Sequence, residues 1–160
     1  MSKISKILIS LIEAAPIEFT NDGDTVHHST RIHGHTVVNK FENTKGSGIW
    51  RHSFSVNGRF KHLGDDVSER ASAAIAHHVG HVLGNFLHQH KPDEVHYHPY
   101  NESRHNDPFT RGSKMIAKKT GYKHRLEYGK YHSLTKPTMM DRFKRKLGLS
   151  EGVTDDPFLP

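Results

Sequence analysis

Histidine is the residue type in this chain with the widest chemical scope: sixteen of 160 residues are His, and none is Cys. Imidazole titrates near neutrality and binds metals when neutral. His77 and His81 stand four apart, and His88 follows seven residues later on the same helical face. Two imidazoles at that spacing can grip one metal ion, and a third ligand would complete a site. A hydrolytic H-E-x-x-H motif, however, places its general base directly after the first histidine, and position 78 is His78. The row also lies opposite the apolar stripe of its helix, as an ordinary solvent-facing row would. Glu94, His96 and His98 alternate along a short extended segment and share one face with Tyr100. His105 or His132 could join the His96–His98 strand pair in space to form one site. Asp93 and Glu94 are adjacent, so they lack the separate strands of a PD-type nuclease site. His105-Asn106-Asp107 is too short to define an HNH site.

The second chemical feature is cationic. Lys and Arg exceed Asp and Glu, for a formal net charge of +6, which favours anionic partners. Lys114, Lys118, Lys119, Arg125, Arg142 and Lys146 fall late in the chain with Tyr122, Tyr128 and Tyr131 among them. That combination can track a phosphate backbone and stack bases. It also fits a solvated helix face. Without Cys there is neither a disulfide framework nor a thiolate site, and a reducing compartment is permitted.

The elements that must position these groups follow from periodicity. Residues 2–14 place Ile4, Ile7, Leu8, Leu11 and Ile12 on one stripe, an amphipathic leader helix ended by Pro16. The apolar run is too short to cross a bilayer, and Glu13 spoils it as a secretory signal. The chain is therefore expected to be soluble and not secreted. Strands are expected at 17–20, 30–41 and 49–56, with Trp50, His52, Phe54 and Val56 on one face of the third and Arg51, Ser53 and Ser55 on the other. Residues 66–90 read as a long helix opened by an Asp66/Glu69 capping box and stopped by Lys91-Pro92. A strand at 94–100, a helix at about 108–120 capped by Gly121, and a final strand at 123–133 come next. A short basic helix at 139–147 and an acidic end close the chain. The layout divides into a leader (1–14), one domain (15–136) and a tail (137–160). Its fold class is α/β, a mixed and mainly antiparallel sheet with two packed helices.

Over residues 30–133 this succession resembles the GNAT family of N-acetyltransferases, in which a central helix starting at a pyrophosphate-binding turn is followed by a strand and a second helix. Asn101, Phe109, Met115, Ile116 and Gly121-Tyr122 stand where that family carries a pattern around its second helix. The resemblance implies an acetyl-CoA site at the first turn, where Gly64 alone could serve. It also implies that the 94–100 strand sits near the active cleft, with Glu94, His96, His98 and Tyr122 as the candidates for carrying protons. Asp65, Asp66 and Glu69 crowd that mouth and would repel a diphosphate that bare amides should hold. Leu11-Ile12-Glu13-Ala14 resembles the cleavage signal of tailed-phage prohead proteases, with Glu13 and Ala14 flanking the cut. A basic amphipathic leader before it resembles a capsid-targeting peptide.

The leading expectation is a phage-type accessory or internal head protein of GNAT-like fold, in the virion or host cytoplasm. It would bind nucleic acid or another acidic partner, and capsid proteins, without catalysis or a resident cofactor. The alternatives are an acetyl-CoA-dependent N-acyltransferase and a His-based hydrolase using a divalent metal.

Overall fold

A computed structural model describes residues 16–60, 66–97, 108–127 and 131–149. The leader with Glu13 and Ala14, Gly64, and His98 lie outside the described residues. The chain runs β1 (Thr20–Asp22), β2 (Thr25–Ile32), β3 (His35–Asn43), β4 (Ile49–Val56) and β5 (Arg59–Phe60). Then come α1 (Glu69–His90), β6 (Glu94–Tyr97), α2 (Pro108–Thr120), β7 (Lys123–Glu127), β8 (Tyr131–Thr135) and α3 (Met139–Lys146). Seven strands form one mixed sheet in the order β1-β2-β3-β4-β6-β8-β7, and β5 pairs with β4. Every pairing is antiparallel except β4 with β6. The fold is α/β, as the alternation of elements predicts. No helix among the described residues is long and apolar enough to cross a membrane.

Three boundaries differ from the sequence reading. The strand expected at 30–41 is a hairpin, because His33 and Gly34 both take positive φ (48° and 83°) and reverse the chain between β2 and β3. Two consecutive left-handed residues give a turn whose twist matches that of paired strands. Gly34 adopts that conformation without cost, whereas His33 is a residue type whose αL tolerance is easily overlooked. The strand expected at 123–133 is likewise two, β7 and β8, paired antiparallel. The long helix starts at Glu69, and its cap is Ser68, whose Oγ accepts from the Ala71 amide at 3.1 Å. Asp66 lies before the cap, so the Asp66/Glu69 capping box is not formed.

Both α1 and α2 pack on the same side of the sheet. The alternation within strands sends Val26, Phe41, His52, Val95, Tyr97 and Leu134 to that side, where they meet Val82, Leu83, Phe86 and Leu87 of α1 and Ile116 and Ala117 of α2. A second cluster joins Val37, Phe54 and Val56 to Ile75 and Val79 nearer the start of α1. At about 1.5–3 kcal/mol for each large apolar side chain taken from water, this layer is the main stabilising term of the fold. The other side of the sheet bears Lys40, Arg51, Glu94, His96, Lys123 and Arg125.

Rings run through the covered layer in a column. His90 stacks on Phe86 at 4.6 Å, Phe86 on Phe41 at 3.8 Å, and Phe41 on His52 at 4.6 Å. Tyr97 then meets His52 edge-on at 6.2 Å and stacks on His132 at 5.2 Å, which stacks on His124 at 5.0 Å. The column exists because Phe41, His52, Tyr97 and His132 are register partners on successive strands.

Candidate functional site

The candidate residues sort onto three parts of the molecule. On the covered side, the histidines are structural. His52 is buried, and its Nε2–H donates to Asn39 Oδ1 at 2.9 Å. Burial lowers its pKa to about 3, because a charged imidazole there would lose its hydration without gaining a counter-ion. His124 and His132 share one hydrogen bond, Nε2 to Nδ1, at 2.7 Å. Burial first, then His132 and Lys114, bring His124 down to about 4.

The His77–His81–His88 row is not a uniform solvent face. His77 and His88 are exposed, whereas His81 is half-buried and its Nδ1 is sealed without a partner among the described residues. Its neighbour His78 packs against His28 of β2 with ring centroids 5.5 Å apart. Burial, followed by His28, His81 and His77, lowers His78 to about 4. No three His, Asp or Glu side chains among the described residues are arranged to hold a metal ion.

Tyr122 also sits in the covered layer, not beside Glu94 and His96. Its hydroxyl donates to the Pro92 carbonyl at 2.7 Å. Burial chiefly, with Asp93, pushes its pKa up to about 12 against an opposing effect of Arg142. A phenol fixed in this way clamps the end of α2 to the start of β6 and is not placed to relay protons.

The open side holds the second group. Glu94 and His96 alternate onto it, and the Glu94 carboxylate accepts from His96 Nε2–H at 2.6 Å. The parallel pairing of β4 with β6 sets Arg51 opposite His96, and the β6–β8–β7 pairings continue that row through Ser133 to Arg125. Tyr131 stacks on His96 at 5.6 Å. Arg51, His96, Tyr97 and Tyr131 line a shallow cleft of about 250 Å³. The cleft has a topological origin. The β4–β6 ladder ends at the His52–Tyr97 pair, and further along β4 the same edge pairs with β5 at Ser55 and Val56. In open α/β sheets, such a divergence beyond the carboxyl end of a strand is where ligands settle. Arg51 was not among the sequence candidates. Its polar-face position in β4 was legible, but its neighbours depend on a strand pairing across forty residues.

The third group is a basic edge. Lys114 and Lys118 lie exposed on α2, Lys119 beside them, Arg125 on β7, and Arg142 and Lys146 on α3. Arg145 ties α3 to α2 through the Lys118 carbonyl at 3.1 Å, and a side chain at Gly121 would meet that guanidinium at 2.8 Å. Lys123 of β7 pairs with Asp141 of α3. That pairing, together with hydrogen bonds from Thr138, holds the Asp141 carboxyl well below the usual carboxylate range. Asp141 also closes a capping box with Thr138. Thus the acidic group of α3 is already engaged, and the cations around it face solvent. Met139, Met140, Phe143 and Leu147 are exposed on the same helix.

Comparison of the chain with protein-family models, with curated proteins and with solved structures finds no match.

Proposed function

We propose that this protein is a binding module for an anionic polymer, nucleic acid in the first instance, and that the α2–β7–α3 edge is its contact surface. The observation supporting this reading is the gathering of cations from three separate elements onto one edge, where the α3 carboxylate of Asp141 is paired with Lys123. Exposed Phe143 and the methionines of α3 add apolar surface on which unstacked bases could rest. If four phosphates are engaged, log K for single-stranded DNA should fall with log salt at a slope of about −3. Replacing Lys114, Lys118, Arg142 and Lys146 by Gln should abolish retention and flatten that slope. An unaltered slope in the quadruple variant would reject the proposal.

The wider reading, a phage-type accessory protein carried in the virion, rests on the leader sequence. Mass spectrometry of particles tests it: a mature N-terminus at Ala14 supports processing, and intact Met1 opposes it.

The second reading, a GNAT-like acetyl-CoA enzyme, draws on one specific observation. A crossover helix, α1, joins two parallel neighbouring strands, and the Glu94–His96 pair stands beside the divergence between them. Against it, α1 opens with Glu69, and a carboxylate in the first turn disfavours a diphosphate at the same spot. Calorimetry with acetyl-CoA separates the readings, since micromolar binding weakened by Gly64→Val would favour the enzyme.

A further inference from the structure

We infer that the open-face cleft between β4, β6 and β8 is a binding site for a single nucleotide unit, a phosphate ester carrying a flat ring, distinct from the basic edge. Three observations carry this.

First, the Arg51 guanidinium is exposed at the cleft and its cross-strand acidic neighbour is engaged elsewhere. Glu42 is the register partner of Arg51, but its carboxylate pairs with Lys40 at 2.5 Å. The remaining carboxylate of the cleft, Glu94, is held by His96. A guanidinium presents five donors in a planar fork that fits phosphate oxygens.

Second, the β4–β6 ladder ends at the His52–Tyr97 pair, and β5 takes over the same edge of β4 at Ser55 and Val56. The cleft therefore opens where the strands diverge, the kind of place at which ligands settle in open α/β sheets.

Third, the stacked Tyr131 and His96 rings form one wall, a surface suited to a sugar or base. The size of the cleft limits what enters. Pockets for drug-sized ligands run from about 300 Å³ upward, so about 250 Å³ takes at most part of one nucleotide, its phosphate and one ring, and not an extended cofactor.

The phosphate ester could come as a free mononucleotide or as one residue of a single strand. Titration of the full chain with AMP and with an eight-residue oligothymidylate distinguishes these sources. Binding of AMP alone assigns a free nucleotide, and binding of the oligonucleotide that fails in the cleft variants assigns a strand residue. In either case Arg51→Ala should weaken binding tenfold or more, with Arg51→Lys recovering part of it. The Gln variants at Lys114, Lys118 and Lys146 should leave AMP affinity as it was. Equal affinity in wild type and Arg51→Ala, or no binding of either probe at millimolar concentration, would overturn the site without touching the proposal for the basic edge.

Discussion

Lowering the pH from 7 to 5 should strip several kcal/mol of stability from this fold. The carriers are His52, His78 and His124, with pKa values brought down from 6.5 to about 3, about 4 and about 4. A histidine depressed in the folded state stays neutral there while its unfolded counterpart takes up a proton. Its stabilising contribution is therefore present above pH 6.5 and is lost as the pH falls towards the folded value. For His52, linkage between pKa values of 6.5 and about 3 gives a loss of about 2 kcal/mol between pH 7 and 5. His78 and His124 are partly open to solvent, so each is discounted by half to about 1 kcal/mol. The sum, about 4 kcal/mol, is a large share of the 5–15 kcal/mol typical of a domain. Urea melts at constant ionic strength, followed by far-UV circular dichroism and by the fluorescence of Trp50, would measure it. Trp50 is a suitable probe because it is the single tryptophan and packs edge-on to Phe86 at 5.3 Å. His52→Gln preserves a donor to Asn39 and should halve the loss. Equal stability at pH 7 and pH 5, or an undiminished loss in His52→Gln, would refute the assignment of these imidazoles as neutral core groups.

Other outcomes follow from single contacts. Ser68→Ala removes the cap of α1 and should cost about 1 kcal/mol in chemical denaturation, whereas Asp66→Ala should cost little, reversing the sequence expectation. Phe41→Ala empties the middle of the ring column, and by the usual scale for large-to-small core changes it should cost about 3–5 kcal/mol. Asp141→Asn breaks the Lys123 pair and weakens the capping box, so amides of α3 should exchange faster while those of α1 do not. The same release should occur in the wild type on acidification, once pH falls below the ordinary carboxylate range towards the depressed pKa of Asp141.

How far the sequence could be read depended on whether a signal was local. The C-terminus of α1 was legible because Pro92 follows Lys91 and cannot continue a helix. The end of α2 was legible because Gly121 is a glycine where a C-cap needs the left-handed conformation, which it takes with φ of 82°. The 25–43 hairpin was not, since His33-Gly34 interrupts a run whose flanks alternate continuously, so period-two patterning carries straight through the turn. Strand order was beyond reach for a different reason. Only the folded chain shows that β8 inserts between β6 and β7, and that insertion is what brings Ser133 and Tyr131 beside His96.

The histidines show the same limit in chemical form. On the covered side, His52 and His132 occupy register positions that Phe41 and Tyr97 also fill, and both pack as flat, hydrogen-bonded rings, with burial keeping His52 neutral. On the open side, His96 is one strand position away from Tyr97, yet it is half-exposed and held by a carboxylate. A shift of one residue along a strand moves an imidazole from core packing to a ligand-facing wall. Counting or spacing histidines therefore cannot separate the two roles. The pairing of β4 with β6 can, because it decides which imidazole shares a face with Arg51.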